Sequence, residues 1–284
     1  ASASSAAGGP RGPPGAVGFE LPTAQGFLRR LVQGYGGREC LGDLGDPSLE
    51  SRERARLAEA IRSAPLLEGA GCGEAGSVLA CFCSERGGDA RTLRTIVDLL
   101  LRLDPPRDSV DLFACLAVLL PRFAPVALLP DAGPTLVRLC SLFEQLLLFH
   151  DPEVAILLRR ANLGAEIYCA PWFLTAHASG LADPDAVLHV WDAWLDRGES
   201  LDPIFFGLAR LTLCHSELLL CGPEPELAQV LHASLGSPQR ATPEAIGGAL
   251  RRAAELKALT PLTFLRQLQD GMLRPQPEKQ PAQG

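Results

Sequence analysis

At five expected helix starts in this chain a residue able to cap a helix stands directly before a proline: Asp151-Pro152, Asp183-Pro184, Asp202-Pro203, Thr242-Pro243 and Thr260-Pro261. The Asp or Thr side chain can accept a bond from an orphaned first-turn N–H. Proline at the first helical position loses only an N–H that has no partner there. Each pair therefore reads as a helix start. The segments that follow are rich in Leu and Ala and poor in Val, Ile, Thr and Tyr, a bias toward helix over strand. The fold class expected is all-α, with about a dozen helices and no sheet.

Punctuation by Pro, Gly and Asp sets the expected helices at Thr23–Gln33, Leu49–Ser63, Gly73–Glu85, Ala90–Leu103, Arg107–Pro121, Pro134–His150 and Pro152–Arg160. Further ones are expected at Ala165–Ser179, Pro184–Asp196, Pro203–Leu220, Pro223–Leu235, Pro243–Leu259 and Pro261–Met272. Leu136, Leu139, Leu142, Phe143, Leu146 and Leu147 form one apolar stripe at helical spacing. Leu112–Leu120 and Ile204–Leu220 are apolar nearly all round, as befits helices inside an array. No repeat of 20–50 residues emerges, which disfavours a regular solenoid. Residues 1–18, made of Ala, Ser, Gly, Pro, Val and one Arg, are expected to be disordered, as is the Pro-rich tail 274–284, which reads as a tail or linker. Residues 19–273 form the helical domain, with an N-terminal subdomain to about 130 and a C-terminal one from about 134.

A formal net charge of −7 argues against a nucleic-acid surface. Nine cysteines lie mostly inside apolar runs, where a free thiol behaves as a small hydrophobe and a reducing, cytoplasmic setting fits. Cys81-Phe82-Cys83 is a tight pair, but no His or Cys pair completes a metal site. Neither metal nor cofactor is expected. The richest apolar stretch, Leu112–Leu129, is broken by Pro121, Arg122 and Pro125, so no membrane span is expected. The five histidines are scattered; His150 reads as a cation near a helix C-terminus. Gly34–Gly37 and Gly71–Gly73 lack the strand and Lys-Ser/Thr of a phosphate loop and read as turns.

The segment Tyr168–Leu195 holds all three tryptophans, in two halves split by Ala-Asp-Pro-Asp. Pro171-Trp172-Phe173-Leu174 opens one half, and Val190-Trp191-Asp192-Ala193-Trp194-Leu195 closes the other. Trp191 and Trp194, three apart, share a helix face, while Asp192 points elsewhere. Core packing is favoured over an aromatic ligand box. This arrangement resembles the TBC domain, the helical GTPase-activating domain of Rab regulators. There a Pro-Trp-Phe-Leu helix start precedes a Trp-Asp helix. The resemblance extends over Leu146–Leu195, through Asp202-Pro203-Ile204-Phe205-Phe206, to Ala258–Arg266. It implies a fold signature of Pro171, Trp172, Phe173, Trp191, Asp192 and Trp194.

An active TBC domain inserts an Arg from an IxxDxxR motif and a Gln from a YxQ motif into the Rab nucleotide site. Here YxQ is absent: Tyr35 and Tyr168 are followed by Gly36-Gly37 and Cys169-Ala170. Where a glutamine finger would precede an apolar helix, the chain reads Gly87-Gly88-Asp89-Ala90-Arg91-Thr92-Leu93. The Arg motif aligns best on Leu57–Ser63, which puts Ala60 in place of its Asp and Ser63 in place of its Arg. Arg62 stands one position off, about 100° round a helix. Leu101–Arg107 fits LxxDxxR, but its Pro105-Pro106 breaks the helix that motif needs. Arg62, Arg91 and Arg107 are the fallback finger candidates.

Within the family the chain resembles most the TBC–rhodanese trafficking adaptors, on Leu99–Arg107 leading into Asp111-Leu112-Phe113, on His150-Asp151-Pro152-Glu153, and on the Trp-Asp helix. That resemblance implies a catalytically inactive scaffold that grips the basic N-terminal peptide of a golgin tether. It places the protein in the cytoplasm, recruited to trans-Golgi or endosomal vesicles, with a rhodanese-like domain as a possible continuation. The alternatives are an active Rab GTPase activator with an unconventional finger, whose partner is a Rab GTPase, and an unrelated helical interaction module.

Overall fold

Asp and Thr caps do start helices in this chain, though not at all five of the proline pairs. The computed structural model describes residues 47–65, 67–71, 73–102, 108–221 and 226–273. They form fourteen α-helices and two short 3₁₀ turns, with no strand among the described residues. In chain order these are α1 Pro47–Ser63, α2 Gly73–Arg86, α3 Ala90–Leu100, α4 Ser109–Phe123, α5 Gly133–His150, α6 Pro152–Arg160 and α7 Ala165–Tyr168. Then come α8 Ala170–Thr175, α9 Pro184–Arg197, α10 Asp202–Leu213, α11 His215–Cys221, α12 Leu227–Leu235, α13 Pro243–Leu259 and α14 Leu262–Leu273. The 3₁₀ turns are Pro125–Leu128 and Pro238–Ala241. The segments 1–18 and 274–284, the expected helix Thr23–Gln33 and the candidate Arg107 lie outside the described residues.

Three of the five starts work as sequence chemistry expects. The side chains of Asp151, Asp183 and Thr242 accept from the N–H groups of Val154, Asp185 and Ala245. The other two differ. Asp202 is the first residue of α10, capped by Leu201, and its carboxylate is buried with Oδ2 unpartnered. Burial pushes its carboxyl up to about 6. The Thr260 hydroxyl turns back instead of forward, donating to the Leu256 carbonyl at 2.8 Å and meeting His150 Nε2 at 2.8 Å. His150 is not a helix-end cation: burial, then the nearby Arg252, lowers its pKa and favours the neutral ring.

Two long expected helices are divided. Ala165–Ser179 becomes α7 and α8, because Pro171 has no N–H to continue the ladder. It then ends at Thr175, where Ala176 and His177 take positive φ of 47° and 65°. Pro203–Leu220 becomes α10 and α11, which bend by 54°. At the break, Arg240 Nη1 donates to the Leu213 carbonyl at 3.2 Å, and the Thr212 hydroxyl bonds back to Ala209. Among the described residues no single helix is long and apolar enough to cross a membrane.

The buried side chains fall into two clusters. The first joins α1–α4 with α9, Phe206 of α10 and the first half of α13 (Ile246, Ala249, Leu250). The second joins α5–α8 with the rest of α10, α11, α12, the later turns of α13 and α14. Helix α9 comes late in the chain yet shares a buried cluster with the first four helices. Helices α10 and α13 make the most extensive helix pair, and both serve both clusters.

The two kinds of helix start should separate on mutation. Thr242→Ala should lower stability by about 1 kcal/mol, the usual worth of a lost N-cap. Asp202→Asn should not lower it at neutral pH, since ionising a carboxyl held at about 6 opposes folding above that pH. Its advantage over the parent should shrink as pH falls toward 3.8, the carboxyl's ordinary value. Thermal denaturation of the two variants at both pH values checks this.

Candidate functional site

The two aligned finger segments are linked through the loop that follows α1. Helix α1 ends with Ile61 fully buried in the first cluster, which turns Arg62 and Ser63 outward. Arg62 Nη2 pairs with Glu59 Oε2 at 2.6 Å, and the Ser63 hydroxyl folds back on the Glu59 and Ala60 carbonyls at 2.9 and 3.3 Å. Ala60, at the degenerate Asp position, is half-buried against the same cluster.

The loop after α1 then lies along the first turns of α3. Glu68 Oε1 meets Arg91 Nη2 at 2.7 Å, and the Ala70 carbonyl accepts from Arg94 Nη1 at 2.9 Å. The approach is close enough to need glycine. A Cβ at Gly69 would sit 2.4 Å from Arg91 Cγ, and Gly69 also holds φ at +86°. Asp89 opens α3, accepting from the Thr92 N–H and hydroxyl at 2.8 Å each; the first of these bonds holds its carboxyl below the ordinary range.

The face thus offers two exposed arginines, each paired with a glutamate across solvent. Such pairs contribute at most about 1 kcal/mol, so a phosphate could compete for either guanidinium. Neither aligned segment carries a glutamine that could orient a water, for the chain has none between Gln33 and Gln145. Among the described residues no three His, Cys, Asp or Glu side chains converge on a metal position.

The signature residues lie at the junction of the two clusters. Trp172 and Phe173 belong to the second, edge-on to Phe143, while Trp191 and Trp194 belong to the first. Pro171 is exposed at the start of α8, and Asp192 is half-buried on α9. Between the clusters sits His177, wholly buried. Its ring stacks on Trp172 at 5.3 Å and meets Trp194 and Phe206 edge-on at 5.8 and 5.2 Å. Its Nε2–H donates to the Pro203 carbonyl at 2.9 Å, and burial lowers its pKa to about 3, so the ring is neutral. Trp191 Nε1 donates to the Ala176 carbonyl at 2.7 Å, fixing the left-handed turn from the other side.

Three features escaped the sequence reading. His215 reaches across from α11 to α6, with Nδ1 at 2.9 Å from Asp151 and Nε2 at 3.4 Å from Glu153. The bond to Asp151 is the main cause of its raised pKa. A groove of about 500 Å³ runs between α7–α8 and α12, lined by Ile167, Pro171, Trp172, Leu231 and Leu235. Beneath its Gly180 edge lies Arg210, an arginine on a mostly apolar helix. The single charge within the apolar stretch Pro203–Leu213 was the available signal for Arg210. The other two depend on long-range packing.

Comparison with known proteins agrees with the helical signature. Residues 93–219 match the family model described as the Rab-GTPase-TBC domain. The match starts inside α3, after Ala60, Arg62, Ser63 and Arg91. TBC domain-containing protein kinase-like proteins of Gallus gallus, Mus musculus and Homo sapiens are each 30% identical to the chain over 112 residues. That alignment covers 39% of this chain and 12% of each relative. One from Dictyostelium discoideum is 29% identical over 83 residues, 29% of the chain and 8% of the relative. The chain thus spans a small part of the length of these relatives. The family match displaces the reading of an unrelated helical module.

The two well-placed histidines should give stability opposite pH dependences. His177 is neutral in the fold down to about 3, so its contribution is lost as pH falls below 6.5, its ordinary value. His215 is held protonated, so its contribution is complete below 6.5 and lost as pH rises through its raised value. His177→Phe should flatten the acid limb of a stability–pH profile and His215→Gln the neutral-to-alkaline limb, as read from urea midpoints.

Proposed function

Because the chain carries a Rab-GTPase-TBC domain over residues 93–219, we propose that it works as a protein-binding scaffold built on that fold and not as a GTPase activator. The observation that carries this reading is the composition of the finger face. Ser63 and Ala60 stand at the aligned Arg-motif positions, Arg62 and Arg91 are tied to glutamates, and no glutamine occurs from residue 34 to 144. A GTPase-activating finger must neutralise charge on the transferring phosphoryl group, and a positioned amide must orient water. Neither aligned segment supplies a residue for the second role.

The likeness of Leu99–Arg107, His150–Glu153 and the Trp-Asp helix to the TBC–rhodanese adaptors makes the basic N-terminal peptide of a golgin-type tether the first ligand to test. The acidic balance of the chain suits such a peptide. In this reading the protein is recruited from the cytoplasm to trans-Golgi or endosomal vesicles by that contact. The competing reading is a Rab GTPase activator with Arg62, Arg91 or Arg107 as its finger. It draws support from the exposure of Arg62 and Arg91 and the weakness of their pairing.

Single-turnover GTP hydrolysis across a Rab panel separates the two. The scaffold reading expects stimulation under about tenfold, against the roughly 10³–10⁵ that an arginine finger supplies in trans. Arg62→Ala, Arg91→Ala and Arg107→Ala should change nothing in that assay. Large stimulation abolished by one of them would overturn the scaffold reading. Fluorescence anisotropy with a labelled golgin N-terminal peptide and its Lys→Gln counterpart then tests the ligand. The basic peptide should bind and the neutralised one should not.

A further inference from the structure

Arg210 is a buried cation with no anion paired to it among the described residues. It is 4% exposed, on the face of α10 that runs under the turn 176–180. Its Nη2 donates to the carbonyls of Gly180 and Leu235 at 2.6 and 2.5 Å, and its Cζ lies 5.5 Å from the Trp172 ring centre. Nη1 is buried with no hydrogen-bond partner, and the side chain enters no ion pair among the described residues. The guanidinium keeps its proton, since burial lowers its pKa only to about 10. Carbonyl dipoles and two ring faces solvate part of this charge, but an unmatched buried donor still costs free energy.

The unmatched donor lies against the groove. Gly180 lines that groove, and a Cβ placed on it would fall 3.3 Å from Arg210 Nη1 and 2.7 Å from Trp172 Cδ1. The cover between groove and guanidinium is therefore main chain without a side chain. The groove wall is apolar: Ile167, 62% exposed, on one side, with Leu231 and Leu235 of α12 on the other. His232, exposed, and Tyr168, buried, are the titratable side chains along it, and among the described residues no Asp or Glu lines it. Apolar walls over a lone positive charge complement one ligand chemistry, a hydrophobic side chain beside a carboxylate. A basic peptide would meet repulsion at Gly180.

We propose that the groove between α7–α8 and α12 docks a short partner segment in which an apolar residue adjoins an Asp or Glu. The apolar side chain lies on Ile167 and Trp172, and the carboxylate takes the Arg210 charge at the Gly180 edge. This surface and its ligand are distinct from the basic peptide proposed above, so either can fail alone.

The probe is an array of nonapeptides carrying Leu-Phe or Ile-Trp pairs followed by Asp or Glu. Matched arrays carry Asn or Gln, and Lys, at the acidic positions. Binding to the intact chain is read by fluorescence anisotropy. A tryptophan emission change is also expected, since Trp172 floors the groove. The acidic set should bind at least about tenfold tighter than the amide-matched set, the scale of a charge-assisted bond in an apolar site. Ile167→Glu and Ala228→Glu, both at exposed rim positions, should lose that binding with unchanged thermal melts. Arg210→Gln should bind the acidic and amide sets equally; if it does not fold, the two rim variants carry the test. No binding by the acidic set, equal binding of acidic and amide sets to the parent chain, preference for the Lys set, or rim variants that bind as the parent does would each overturn the proposal.

Discussion

The left-handed turn at Ala176–His177 is the constraint on which the rest of the domain depends. Two residues with side chains hold positive φ there, a conformation glycine adopts freely and Ala and His do not. They are held by what the turn presents to each core. His177 stacks on Trp172 of the second cluster and meets Trp194 and Phe206 of the first. The Ala176 carbonyl accepts from Trp191. Without that turn α8 would run on, and the two clusters would lose their shared aromatic joint. Gly207 completes it: a Cβ there would come within 3.0 Å of the Trp172 ring and 3.3 Å of His177.

The same joint explains how the chain uses its buried polar groups. Several buried donors are spent on main-chain carbonyls at helix ends and in the turns beside them. His177 serves Pro203, Arg210 serves Gly180 and Leu235, and Trp191 serves Ala176. Short helices release many such carbonyls. A domain cut into many short helices needs donors at its breaks, and arginine, with five N–H groups, can serve two at once. Arg210 does so with one nitrogen and leaves another unmatched.

Much of the helix layout was legible because its signals are local. Proline after Asp or Thr marked the starts of α6, α9 and α13, and apolar runs marked α4 and α10 as buried. What could not be read depends on partners far off in sequence. Asp202 looks like Asp151 in its dipeptide, yet one is buried at a first helical position and the other caps and binds His215. The break at Cys214 follows from Arg240, and the turn at Ala176 from Trp191. For the finger face, the sequence revealed which residue types are missing. It gave no hint that Glu68 reaches Arg91, since that pair joins a loop and a helix 23 residues apart.

The finger face and the core share almost no residues, and this separation bears on how such a domain could lose catalysis and keep its fold. Arg62, Ser63 and Arg91 contact mainly solvent, glutamates and their own helices, while Ile61 beside them is fully buried. Exposed substitutions at such positions cost within about 0.5 kcal/mol, so drift there meets no structural resistance. Substituting His177, Trp172 or Trp191 would instead open a cavity or orphan a buried donor, at several times that cost. The fold therefore does not depend on the identity of the three exposed residues Arg62, Ser63 and Arg91. The groove over Arg210 sits on the rigid part, beside the residues least free to change.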